Sequence, residues 1–196
     1  MASTAIDSQV FGIVFTTQEM RAIFSDQSLI QKWLDVEAAL ARAQGEIGVI
    51  PKDKADQICA LAKAELLDIP AIGELFKNSI TMVPFLKVFK ASLPRDVGEF
   101  IHWGATSQDI FDTGFVLMQR EAYRVFLRDL KLCLQYSLDL AQKYRNTVMA
   151  GRTHVVHAIP ITFGYKVAIW ADELGRAIQR LEELAPRVFV GQLSGA

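Results

Sequence analysis

The sequence has two cysteines, six prolines and three histidines in 196 residues, and each scarcity removes a class of protein. Cys59 and Cys133 stand alone inside helical patterns without ligand spacing, so neither a disulfide scaffold nor a cysteine-held metal is expected. They read as reduced core residues of a cytoplasmic protein. Excess charge of either sign is missing as well. Basic residues number 21 against 22 acidic ones, a net charge of −1, which leaves no electrostatic footprint for nucleic acid. Arg120, Arg124 and Arg128 make a basic stripe at helical spacing, softened by Glu121 and Asp129 into a solvated or inter-helix face. Long apolar runs are missing too: Pro160, Lys166 and Asp172 break the most hydrophobic stretches well short of the roughly 20 residues a membrane span needs. The opening Met-Ala-Ser-Thr-Ala-Ile-Asp lacks the basic region and apolar core of a signal peptide, so the cytoplasm is the expected location. No alternating β-branched run bounded by turn residues argues for a sheet, although a short hairpin in the loops stays open. Neither a phosphate-binding glycine loop nor a GxSxG nucleophile signature occurs.

What is present is helical periodicity. Hydrophobic residues make up 51% of the chain and the mean hydropathy is +0.21, high without a membrane segment, so helix faces should bury against partner chains or against a remainder of the protein. Thr16-Thr-Gln-Glu19 carries a capping-box signature. From Ser28 to Gln44, Leu29, Ile30, Trp33, Leu34, Ala38 and Leu40 form an apolar stripe, with Asp35, Glu37 and Arg42 between them; Gly45, Gly48 and Pro51 end it. Shorter helices are expected over Pro51–Lys63, Ile69–Phe76 and Val83–Ser92. Two long elements follow, Asp109 to about Tyr144 and Ile161 to about Leu184, and their length makes antiparallel helices of a bundle the economical explanation. The fold class is therefore all-α, with residues 1–108 as a small helical domain and 109–196 opening a long-helix bundle domain.

All three histidines sit in two segments, each just before a long helix. In the first, Gly104 and Ala105 let a ligand approach the backbone, and Thr106 and Ser107 either cap the helix or offer hydroxyls to a carboxylate. Asp109 and Asp112 fall in the first turn, where the helix dipole favours them. His102 is either an ordinary loop residue or part of a site. In the second, Arg152, Thr153 and His154 precede Pro160, whose fixed φ suits entry into the next helix. Histidine moves protons near neutral pH and arginine grips carboxylates. His157 follows three residues later, in a loop or extended entry. Three histidines split between two segments do not meet metal-ligand spacing, so no metal is expected.

The segments His102-Trp-Gly-Ala-Thr-Ser-Gln-Asp-Ile-Phe-Asp-Thr113 and Gly151-Arg-Thr-His154…Pro160-Ile-Thr-Phe-Gly164 resemble the first two conserved regions of the fumarase/aspartase superfamily. Trp33-Leu-Asp-Val-Glu-Ala-Ala-Leu-Ala41, Trp170-Ala-Asp-Glu-Leu174 and Gly191-Gln-Leu-Ser-Gly-Ala196 are similar to its carboxymuconate cycloisomerase/adenylosuccinate lyase branch. The resemblance implies a homotetramer whose sites draw on three chains. It also implies anti-elimination, or lactone cycloisomerisation, on a dicarboxylate or tricarboxylate through an enolate-like carbanion, without a cofactor. Carried over by position, Thr106, Ser107, Gln108, Arg152 and Thr153 would bind substrate, and His102 and His154 would be the catalytic histidines, His154 as acid or orienting group.

Three departures bear on this. The family's serine loop, thought to supply the base, lies beyond Ala196, so the chain reads as the front part of a larger enzyme and residues 1–196 alone are expected to be inactive. They would also leave apolar faces at Phe115, Met118, Val167 and Trp170 uncovered. Asn78-Ser-Ile-Thr-Met-Val-Pro84 lacks a histidine common in adenylosuccinate lyases, which counts against a purine nucleotide. Val156 stands where glutamine is frequent. The alternative function is a catalytically silent assembly domain.

Overall fold

Eight α-helices and one β-hairpin make up the computed structural model, which describes residues 4–6, 8 and 10–195. Most of the opening segment read for a signal peptide, and Ala196, lie outside the described residues. The helices are α1 (Gly12–Phe15), α2 (Gln18–Ile23), α3 (Asp26–Glu46), α4 (Lys52–Leu61), α5 (Ile69–Phe76), α6 (Val83–Ser92), α7 (Ser107–Lys143) and α8 (Phe163–Val188). The strands β1 (Val148–Thr153) and β2 (Val156–Thr162) pair antiparallel between α7 and α8. The protein is all-α apart from this hairpin. Two compact units emerge, residues 1–122 with 189–196, and residues 123–188, so α7 belongs to both.

The first unit is built around α3. Ser25 caps it by accepting the Ser28 N–H, and Ile30, Trp33, Leu34, Ala38 and Ala41 turn inward. Trp33 meets Phe85 and Phe111 edge-on, with ring centroids 5.5 and 5.3 Å apart. Phe85, Phe89, Leu34 and Ile58 are fully buried, each contributing about 1.5–3 kcal/mol. The single glycine of α7 has a steric reason: a Cβ on Gly114 would lie 2.7 Å from Cδ1 of Trp33. Lys32 also reaches Glu121 of α7 at 2.5 Å.

In the second unit the later part of α7 and α8 run antiparallel. Tyr123 donates to the Leu181 carbonyl at 3.3 Å, while at the other end Tyr144 packs on Phe163 at 5.5 Å. A Cβ on Gly164 would sit 2.5 Å from the Ala141 carbonyl, so only glycine lets the start of α8 pass this close.

Several sequence expectations need correction. The cap of α2 is Thr17, accepting from Met20 N–H at 3.2 Å, one residue after the Thr16 start of the capping-box reading. The helix from Pro51 ends at Leu61 and gives way to a 3-10 turn at Ala64–Leu66. Ile161 and Pro160 belong to β2 rather than to the helix entry; proline is tolerated there because a two-stranded sheet has only edge strands. Helix α8 continues past Pro186 to Val188, losing one backbone bond in its last turn. Cys133 is exposed, not a core residue. Met118 and Val167 are already buried, whereas Phe115 and Trp170 stay half-exposed. Arg120, Arg124 and Arg128 are solvated, as their pattern indicated. Among the described residues, no helix is long and apolar enough to cross a membrane.

Candidate active site

The first motif folds into a tight loop leading into α7. His102 and Gly104 both take positive φ, 58° and 69°, which turns the chain sharply between Ile101 and Thr106. Thr106 is the residue before the helix, and its N–H donates to Asp109 Oδ2 at 2.9 Å, one half of a capping box. Ser107 opens the helix, and its Oγ accepts the Met82 N–H at 3.0 Å. That leaves the hydroxyl proton of Ser107 free to donate, the capacity a carboxylate ligand requires. Gln108 bonds Asp112 within the helix at 2.5 Å.

Asp109 is a hub. Besides Thr106, it accepts from Ser194 N–H at 2.8 Å and from Gly195 N–H at 3.2 Å. The Thr106 N–H does most to hold its carboxyl below the usual carboxylate range, followed by Ser194; burial opposes them, and Gly195 and the nearby His102 add to the lowering. Residues 191–195 therefore fold back on the start of α7. Gln192 reinforces this by donating its N–H to Thr113 Oγ1 at 3.1 Å and its amide to Asp112 at 3.0 Å.

His102 is gripped from α3. Its backbone N–H donates to Glu37 Oε2 at 2.9 Å, and its Nδ1 lies 2.6 Å from Glu37 Oε1. Glu37 is fully buried, which corrects its reading as one of the polar residues between the apolar positions of α3. The signal was available: an acid among Leu34, Ala38 and Ala41 falls on the inward face, and a buried carboxylate demands partners. Nothing in the pattern named His102 as that partner, 65 residues away.

The second motif occupies the hairpin. His154 and Val155 are the two central residues of the turn, with φ 46° and 68°, the backbone of a type I′ turn. For a β-branched residue this conformation is an outlier. Arg152, Thr153, His154 and His157 are all exposed on the hairpin. The structure thus gathers His102, Thr106, Ser107 and Gln108 in the first unit, and Arg152, Thr153 and His154 in the second. Among the described residues, no group of three or more His, Cys, Asp or Glu side chains is arranged to hold a metal ion.

A protein-family model described simply as "Lyase" matches residues 13–196, and the chain belongs to that family. Its relatives within that family include adenylosuccinate lyases and 3-carboxy-cis,cis-muconate cycloisomerases. It is 48% identical to N-acetyl-S-(2-succino)cysteine lyase of Enterococcus italicus, an alignment covering 100% of this chain and 43% of that protein. It is 40% identical to adenylosuccinate lyase of Methanothermobacter thermautotrophicus, over 93% of this chain and 41% of that one. Among solved structures, the 3-carboxy-cis,cis-muconate lactonizing enzyme of Pseudomonas putida superposes with a TM-score of 0.93 at 37% identity, covering 96% of this chain and 44% of that one. The chain thus spans less than half the length of these relatives.

Proposed function

We propose that the chain forms the N-terminal part of a fumarate-lyase-type enzyme that eliminates across a C–C bond beside a carboxylate. The observation that carries this reading is the start of α7, where Ser107 Oγ accepts the Met82 N–H, which leaves its hydroxyl proton available to donate. In the proposed reaction a base removes the proton from the carbon next to a carboxylate. The carbanion is held as an enolate by Thr106, Ser107 and Gln108, with Arg152 and Thr153 binding the substrate's other anionic groups. Donors set in advance stabilise this charge most in the transition state. The leaving group then departs with its electron pair and takes a proton from an acid, for which His154 is the candidate; His102 is the second catalytic histidine. A 2-succino thioether processed in this way yields fumarate and a thiol.

The division at 108/109 is proposed as a functional one, with the first motif on one side and the bundle on the other. A homotetramer, sites shared between subunits, a dicarboxylate or tricarboxylate substrate and a cytoplasmic location belong to the same proposal. Half-exposed Phe115, Phe126 and Trp170 support the assembly. A silent assembly domain would need neither the buried Glu37 contact to His102 nor the free Ser107 proton, so the catalytic reading is preferred.

The test is fumarate release, followed by ultraviolet absorbance, from N-acetyl-S-(2-succino)cysteine and adenylosuccinate, with consumption of carboxymuconolactone as a third arm. Activity of the full-length protein on one of them is expected. No activity on any of the three would overturn the reading. Residues 1–196 alone are expected to turn over none of them, because the serine loop from which the family resemblance takes the base is not among them and a positioned base contributes about 10²–10⁴-fold.

A further inference from the structure

Glu37, Ala41 and Gln44 share one face of α3, at helical spacings of four and three. Two of them reach the loop that carries His102. Glu37 takes both the backbone N–H of His102, at 2.9 Å, and its ring Nδ1, at 2.6 Å. Two turns further along, the Gln44 side-chain amide donates to the Trp103 carbonyl at 2.7 Å. The Glu37 side chain is 0% exposed and that of His102 is 17% exposed, so the grip is made inside the protein while part of the ring still reaches solvent. The grip also falls on a residue in the left-handed region, with φ 58°.

An ionised carboxylate only accepts hydrogen bonds. With Glu37 in that form, Nδ1 of His102 is the donor of their 2.6 Å contact, and in the neutral ring the lone pair is then on Nε2. A loop could be fixed more cheaply. One backbone N–H needs one acceptor, and apolar packing commonly replaces a buried ionic contact without loss of stability. The second carboxylate oxygen goes to the ring, where it decides which nitrogen can react.

We infer that Glu37, assisted by Gln44, is a positioning residue that holds His102 in its left-handed conformation with Nδ1 protonated and Nε2 presented for proton transfer or substrate contact. The inference rests on the lyase reading for the reaction that His102 serves, while the clamp itself has a readout that needs no activity.

In the full-length protein, with fumarate release as the assay, Glu37→Gln should lower kcat at least tenfold and leave KM within twofold. Glu37→Ala should fall further, because glutamine keeps one acceptor oxygen. In a His102→Gln background, Glu37→Gln should cost less than twofold, since the residue it orients is gone. Multiplying losses, or an unchanged kcat in folded Glu37→Gln, would overturn the inference. If Glu37→Gln fails to fold, Gln44→Leu decides: kcat should drop about threefold to tenfold with KM unchanged, and an unaltered kcat overturns the clamp. Should the wild-type full-length protein release no fumarate, the lyase reading fails and the clamp is judged by crystallography of Glu37→Ala, or of Gln44→Leu if that protein does not fold. His102 is expected to leave the left-handed region or turn its ring; an unchanged φ and ring pose overturn the clamp.

Discussion

His102 and His154 both stand in left-handed backbone in segments that carry hydroxyl residues, yet the protein holds them by opposite means. His102 is fixed from outside its own loop, by a buried carboxylate on α3, with Ser107 tied to Met82 close by in sequence. His154 is fixed from within, by the closing turn of a two-stranded hairpin whose tip is exposed, with Val155 at 95% of its full accessibility. The first arrangement spends buried polar contacts to define one geometry. The second relies on pairing between Thr153 and Val156 and tolerates an unfavourable turn residue. Changes around His102 should therefore disturb stability and activity together, whereas changes at the hairpin tip should disturb activity with little cost in stability.

The sharpest way to break this contrast is to remove the two side chains with proposed roles. In the full-length enzyme, Ser107→Ala and His154→Ala should each lower kcat/KM more than tenfold, measured by fumarate absorbance. Ser107→Ala should also cost about 1–3 kcal/mol in denaturant unfolding, because it orphans the Met82 N–H. His154→Ala should leave the midpoint within error, and an equal loss in both variants would erase the distinction. A purely steric probe comes next. Gly114→Leu drives a Cβ into Trp33 and should destabilise by about 1–3 kcal/mol, read as a fall in Tm.

Asp109 provides a pH-dependent test of the buried side. Its folded carboxyl titrates below the ordinary value of 3.8, so the stability it contributes is present above that value and is lost as pH falls through the lower folded value. Asp109→Asn should melt earlier than wild type at pH 7, because its amide nitrogen cannot accept an N–H. The gap in Tm should narrow as the pH is taken to 3 and below; a gap that widens with acid contradicts the assignment. The smallest effect is expected at the tip, where Val155→Gly relieves the left-handed strain and should stabilise by a few tenths to about 1 kcal/mol. A clear fall in Tm there would mean that Val155 makes contacts outside the tip.

Much of this was legible in the residues. The stripes of α3, α7 and α8 follow from apolar periodicity, the short helices α5 and α6 fall where they were expected, and the motif around His102 and Ser107 falls where the pattern put it, at a helix start. The hairpin was harder to see, because its turn carries His154-Val155 in place of the glycine or asparagine that normally marks a type I′ turn. Its strands held a weaker signal in Val148, Val156, Ile159 and Ile161. Glu37 was misread because alternation along a helix gives the average face, while a single buried acid is decided by a partner 65 residues away. The return of Ser194 and Gly195 to Asp109 was likewise beyond any local pattern, since backbone N–H donors carry no side-chain signature.

That return has a consequence for the order of events during synthesis. Two of the three N–H donors on Asp109 come from residues 85 and 86 positions later. At about 5–20 residues per second, the ribosome needs about 4 to 17 s to deliver them after Asp109 has emerged. Throughout that interval the head of α7 is capped on one side only, although Glu37, Met82 and Trp33 are already available to it. The nascent first unit should therefore accumulate with its core formed and its last clasp open, and it should lock only when the hairpin and α8 have been made and the chain has come back.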